Sequence, residues 1–194
     1  MKTLIIDTST NVMYISLADN NKLIDEKIRI SKKDISKYLV SEIKHLLDNN
    51  HTSLDSIDKI IVGRGPGSYT GLRIAGTVAK TLAYTKDIDL YEISSLYLLT
   101  SGYESVVAMI DARNNFVFGA IYINDEVIVD DGHFLKEDLL NKKQGNELDI
   151  LIDETNYKID IGKVINKSSK VSNVHEYVPN YINKTEAERN NENK

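Results

Sequence analysis

The stretch Lys59-Ile60-Ile61-Val62-Gly63-Arg64-Gly65-Pro66-Gly67-Ser68-Tyr69-Thr70-Gly71 decides the fold class. A β-prone apolar run, Lys59–Gly63, ends at a glycine-rich turn. The turn opens a helical pattern over about Thr70–Tyr84. Strand, tight turn and helix in succession is the building unit of an α/β domain. Toward the N-terminus, Thr3–Asp7, Val12–Ala18 and Lys22–Ile30 read as strands, with a turn signal at Asp19-Asn20-Asn21. These three predict an antiparallel meander. Ile35, Tyr38, Leu39, Ile43, Leu46 and Leu47 then follow a helical period. Ser31 or Asp34 is placed to cap that helix, and Asp48-Asn49-Asn50 ends it. Past the glycine turn, Leu90–Ile93 is a short strand, and Ser94 or Ser95 caps a helix to about Ser101. The first half reads β-β-β-α-β-α-β-α.

The order then restarts. Val106–Asp111 is an apolar strand ending in Asp, as Leu4-Ile5-Ile6-Asp7 is, with Ala108-Met109-Ile110-Asp111 as the matching string. Phe116–Ile123 and Glu126–Val129 flank a turn at Asn124-Asp125, Leu135–Asn141 reads as a short helix, and Leu148–Ile152 as a strand. Either two short strings coincide by chance, or a β-β-β-α-β unit is duplicated and its second copy truncated. The duplication reading divides the chain near Gly102, into residues 1–102, a smaller lobe 103–185 and a polar tail 186–194. The polar character begins at Asn183.

Composition narrows the function classes. The chain has 194 residues, 41% hydrophobic and 27% charged, with a formal net charge of −5. With a pI near 5.4 it lacks the basic footprint of a lone nucleic-acid binder. No cysteine is present, which excludes disulfides, thiolate zinc sites and cysteine nucleophiles. The apolar run Leu4-Ile5-Ile6 is too short for a signal peptide or membrane span, so a cytoplasmic location is expected. His45 and His51 are not spaced as i, i+4 ligands, and His133 and His175 lie far from them. No Gly-x-Ser-x-Gly elbow surrounds Ser68.

Two places can carry chemistry. In the turn, Gly65, Gly67, Ser68, Thr70 and Gly71 can aim backbone N–H groups outward at a helix start, which favours an anion. The spacing is neither a P-loop nor Gly-x-Gly-x-x-Gly, so a purely architectural turn is the competing reading. Asp7-Thr8-Ser9-Thr10 can hold a phosphate or metal-bound water, or can be an ordinary hydroxyl-rich turn; Asp111 with Arg113 stands in the corresponding place. In the following helix Ala75, Gly76, Ala79 and Ala83 form a small-residue face. That face suits close packing on the chain's own sheet or on another helix. Gly76 costs about 1 kcal/mol of helix propensity relative to Ala.

Together, Leu4-Ile5-Ile6-Asp7-Thr8-Ser9-Thr10, Gly65-Pro66-Gly67-Ser68-Tyr69-Thr70-Gly71-Leu72-Arg73-Ile74, Ile110-Asp111-Ala112-Arg113 and Pro179-Asn180-Tyr181 resemble the TsaB (YeaZ) family in order and spacing across nearly the whole chain. The resemblance implies an actin-like (ASKHA) α/β fold of two RNase H-like lobes, the second one truncated. It implies a non-catalytic scaffold in making N6-threonylcarbamoyladenosine beside the tRNA anticodon. The family's partners are TsaD, which carries ATP, metal and transfer chemistry, and TsaE. A homodimer forms when TsaD is absent, tRNA is met only through the complex, and no cofactor is expected on this chain. Pairing is implied through the helices over Asp34–Asn49 and Thr70–Tyr84. The contact is placed at Ile35, Tyr38, Leu39, Glu42, Ile43, Leu46, Leu72, Ala75, Gly76, Ala79, Lys80 and Ala83. Asp7, Thr8, Ser9 and Arg73 are grouped with the glycine turn as structural or anion-contacting residues. The chain departs from the family at Tyr69, usually Phe, and at Arg64, where a small or apolar residue is usual. It also lacks a His-Ser-Glu element around Lys33-Asp34-Ile35-Ser36. The competing readings are an independent ASKHA ATPase or kinase built on Asp7, the glycine turn and Asp111, and a glycoprotease-like hydrolase.

Overall fold

A computed structural model describes residues 1–30 and 34–182. Strand β1 (Lys2–Asp7) is followed by β2 (Val12–Asp19) and β3 (Lys22–Ile30), then α1 (Ile35–Asn49), β4 (Lys59–Gly63), α2 (Tyr69–Lys86), β5 (Asp89–Ile93) and α3 (Ser95–Thr100). The two central strands are apolar on both faces because both faces are covered: Leu4, Ile5, Ile6, Ile60, Ile61 and Val62 are all fully buried. β1 pairs antiparallel with β2 and parallel with β4, and β4 pairs parallel with β5. The β2–β3 hairpin closes through Asn20 and Asn21, both left-handed at φ 48° and 65°, as a two-residue hairpin turn requires. The edge strand β3 exposes Leu23, Ile24, Ile28 and Ile30 on its alternating faces.

The second lobe repeats this plan. Strands β6 (Ser105–Asp111), β7 (Phe116–Ile123) and β8 (Glu126–Leu135) form a meander, then come α4 (Lys136–Leu140) and β9 (Leu148–Leu151). The sheet orders are β3-β2-β1-β4-β5 in the first lobe and β8-β7-β6-β9 in the second. In the second, β6 sits at the centre as β1 does in the first. These are the mixed sheets of two RNase H-like lobes, the second ending one strand early. Asn124 and Asp125 close the β7–β8 hairpin in the same left-handed conformation as Asn20 and Asn21. The chain then forms α5 (Ile161–Lys167) and the two-residue β10 (Ser169–Lys170), which pairs with β5. Residues 169–181, grouped by sequence with the second lobe, thus run along the first sheet and α2.

Three apolar clusters define five layers. α1 and α2 cover one face of the first sheet through Leu39, Ile43, Leu46, Ala75, Ala79 and Ala83. α3 and α5 lie between the sheets, where Ile5, Tyr14 and Ile61 of the first meet Ala108, Ala120 and Tyr122 of the second. α4 closes the outer face through Leu139.

The elements follow the sequence reading, with differences in the second lobe and at the start of α1. β8 runs to Leu135 instead of stopping near Val129, and α5 and β10 fall where the sequence pattern gives no element. Asp34 does precede α1, but its carboxylate meets Arg29 Nη2 at 2.9 Å instead of capping the helix. Ser31, Lys33 and the tail from Asn183 lie outside the described residues.

Candidate functional site

Asp7 organises the junction of β1, β4, α2 and α3. Its carboxylate has no solvent exposure. Ser9 N and Ser9 Oγ donate to Oδ1 at 2.9 and 2.7 Å, and Ser95 Oγ donates to Oδ2 at 2.6 Å. Burial pushes the Asp7 carboxyl above its ordinary 3.8, against the pull of these three donors. Of the two serines read as caps for α3, Ser94 does cap it, accepting from Tyr97 N, whereas Ser95 is held by Asp7.

The glycine turn folds back on the same loop. Ser68 N donates to Ser9 O at 2.6 Å, Gly65 N to Ser95 Oγ at 3.0 Å, and Thr8 Oγ1 to Gly71 O at 2.7 Å. Ser68 Oγ caps α2 by accepting from Gly71 N at 3.3 Å. A Cβ on Gly71 would lie inside the van der Waals envelope of Thr8 O. One on Gly67, whose φ is 153°, would strike Ser9 O. Glycine is therefore required at both places because two backbones meet. The N–H groups of Gly65, Ser68 and Gly71 are engaged by the chain's own oxygens, which favours the architectural reading of the turn. Tyr69 and Thr70 stand exposed, and Arg73 lies over the Tyr69 ring at 5.4 Å.

Between the lobes lies a cleft of about 610 Å³ lined by Ser9, Thr10, Asn11 and Ser68 on one side and Asp111, Ile110 and Phe118 on the other. The sequence aligns Asp7 with Asp111, but the structure treats them differently. Asp7 is sealed inside, whereas Asp111 is exposed and accepts from Arg113 N at 3.0 Å. Among the described residues no three His, Asp or Glu side chains gather as metal ligands. His45 is exposed on α1, His51 follows that helix, His133 stacks on Phe116 and His175 packs against Tyr84.

The predicted contact residues on the helices divide sharply. Leu39, Ile43, Leu46, Leu72, Ala75, Ala79 and Ala83 are all buried within the chain. Small side chains let α2 lie close on its own sheet, so this face is not the surface on offer. Gly76 is also covered from within: a Cβ there would lie 3.1 Å from Tyr177 Cε1 and 3.4 Å from Pro179 Cγ. Lys80 Nζ donates to the carbonyls of His175 and Tyr177 at 2.9 and 3.1 Å. Ile35, Tyr38 and Glu42 keep partial exposure, with Arg29 stacked 3.8 Å over the Tyr38 ring. The exposed surface of the helix pair is instead a groove of about 310 Å³ between α1 and α2. Val40 (59% exposed), Val78 and Leu82 line it, flanked by Lys44 and Asp48. Ile74, Val78 and Leu82 stand at i, i+4 and i+8, a second apolar stripe beside the small one and readable in the sequence. No helix among the described residues is long and apolar enough to cross a membrane.

With this geometry in place, comparison with known proteins is direct. Residues 29–178 match the family model described as TsaD: tRNA N6-adenosine threonylcarbamoyltransferase. The tRNA threonylcarbamoyladenosine biosynthesis protein TsaB of Bacillus subtilis is 29% identical over 97% of this chain and 96% of its own length. The Haemophilus influenzae protein of the same name is 32% identical over 69% of this chain and 58% of its own. Among solved structures, YeaZ from Pseudomonas aeruginosa superposes with a TM-score of 0.72 at 20% identity, over 93% of this chain and 99% of that one, a likeness of fold. The chain belongs to the family that this model describes, TsaD: tRNA N6-adenosine threonylcarbamoyltransferase, and along nearly its whole length it is similar to TsaB of Bacillus subtilis.

Proposed function

We propose that this chain is a non-catalytic subunit in the biosynthesis of threonylcarbamoyladenosine in tRNA. It works in the cytoplasm by docking on a TsaD-type paralogue through the outer groove of α1 and α2. ATP, metal and the transfer step belong to the partner; TsaE joins the pair, and two copies of this chain pair when TsaD is absent. tRNA is reached only through the complex, in keeping with a net charge of −5. One observation carries the reading: two neighbouring helices leave an apolar groove open to solvent at Val40, Val78 and Leu82, on a chain whose relatives are named for this pathway. Aliphatic side chains in such a groove form the desolvated centre a helix-to-helix interface needs.

The test is a pull-down with TsaD from the same cell, followed by a tRNA modification assay. Val78→Glu with Leu82→Glu places two charges in the groove at half-buried positions that pack against the core, and Val40→Glu, at a residue 59% exposed, places one there without disturbing that packing. The double variant is expected to keep its circular dichroism at a lowered thermal midpoint, and both it and Val40→Glu to lose TsaD binding, the double variant by about 100-fold or more, and to fail to support modification. Unchanged affinity in a folded double variant overturns the docking face. Full tRNA modification without this chain overturns the functional reading itself.

A further inference from the structure

A second cavity between the lobes, of about 390 Å³, shares no lining residue with the Ser9–Asp111 cleft. One wall comes from the first lobe and the chain that returns to it: Arg64 after β4, Glu92 of β5, and Lys167 at the end of α5. The other comes from the second lobe: Tyr122 of β7, with Asp130 and Asp131 of β8. Ile93, Tyr97 and Val127 supply apolar and aromatic surface.

The polar groups of this cavity are only half satisfied, and in a matched way. Asp131 Oδ1 accepts from Ser94 Oγ at 2.8 Å and from Tyr122 OH at 3.2 Å, whereas the buried Oδ2 has no partner. Arg64 Nη1 donates to Glu92 Oε1 at 3.2 Å, whereas the buried Nε has no acceptor. Lys167 and Asp130 form no ion pair among the described residues, although Asp125 is paired with Lys163 at 3.0 Å. Each buried orphan forgoes a hydrogen bond it had in water, which native structures seldom leave uncompensated. After the existing pairs are set aside, the first wall offers unmet donors and positive charge, and the second offers an unmet acceptor and negative charge. A lone cation would leave Lys167 and the Nε of Arg64 unanswered, and a lone anion would leave Asp130 and the Oδ2 of Asp131 unanswered.

We propose that this cavity binds a small zwitterion of the α-amino-acid type, its carboxylate toward Arg64 and Lys167 and its ammonium toward Asp130 and Asp131. The cavity volume exceeds that of a free amino acid, and Tyr97 and Val127 receive its side chain. Site and ligand are independent of the α1–α2 docking groove, so either proposal can fail alone.

The probe is an equimolar mixture of the twenty free L-amino acids, read by saturation-transfer difference NMR on the full chain and followed by titration of any hit. At least one amino acid is expected to bind saturably. Its N-acetyl and methyl-ester derivatives, each lacking one charge, should bind at least tenfold more weakly. Asp131→Asn and Arg64→Gln should each weaken the hit by a similar factor. If Asp131→Asn does not fold, Lys167→Ala and Asp130→Ala, both at exposed positions, carry the same test. Absence of saturable binding by all twenty, or binding indifferent to every one of these substitutions and derivatives, overturns the proposal.

Discussion

At the scale of the residue, Asp7 joins β1 to the glycine turn and α3 through Ser9 and Ser95, and does so at a fully buried junction. Its folded-state pKa is raised, with burial the dominant cause. Linkage fixes the sign. The stabilisation that follows from the raised pKa is complete below the ordinary 3.8 and is lost as pH rises through the folded value. Asp7→Asn removes that titration and, with one oxygen instead of two, disturbs the bond from Ser95, at a cost of about 1–3 kcal/mol. Urea denaturation of both proteins from about pH 4 to about pH 8 should show the wild-type advantage shrinking as pH rises. An advantage that grows with pH contradicts the placement of Asp7. From sequence alone Asp7 and Asp111 look equivalent. They differ because only Asp7 is closed over by a serine from a distant helix, a long-range contact that no local pattern reports.

At the scale of the element, α2 shows what periodicity does and does not reveal. The helix, its start at the glycine turn and its small face are all legible from Ser68 onward. What the small face packs against is not, because Ala75 and Ala79 suit a sheet and a partner helix equally. The segment that covers Gly76 lies about a hundred residues later, reached through α5 and β10, which are too short for a strong periodic signal. β8 continues past Val129 through Asp130-Asp131-Gly132 because an edge strand tolerates acids and register shifts. The segment 174–181 is fastened to α2 by Lys80 and by the ring contacts Tyr84–His175 (4.6 Å) and Tyr69–Tyr181 (4.9 Å). Lys80→Met keeps the stem of the side chain and deletes both charge-assisted bonds. It should lower stability by roughly 1–3 kcal/mol and speed hydrogen exchange at Tyr177 and Asn180 while leaving β1 and β4 protected. Unchanged exchange at those two amides would mean that the ring contacts hold the segment unaided.

At the scale of the whole molecule, the two lobes share one interior. The cluster between the sheets takes Ile5, Tyr14 and Ile61 from the first, Ala108, Ala120 and Tyr122 from the second, and Leu96, Leu98, Ile161, Val164 and Ile165 from the helices between them. The repeated Asp-ended strands make the duplication legible in the sequence. The coupling is not, because α5 lies beyond the second repeat in the chain and packs between the two. Neither sheet can lose this layer without exposing the inner face of the other, so the lobes should unfold as one unit. Val164, fully buried in α5, is the place to test it. Val164→Ala removes two methyl groups at a site distant from the α1–α2 groove and should cost about 1–3 kcal/mol. Calorimetry should then show a single transition shifted downward, with a calorimetric enthalpy equal to the van't Hoff value. Hydrogen exchange at the slowest amides of β1 and of β6 should accelerate by the same factor, because both strands reach solvent only through the same global opening. Two resolved transitions, or acceleration confined to β6, would mean that the layer joins the lobes in space without joining their stability.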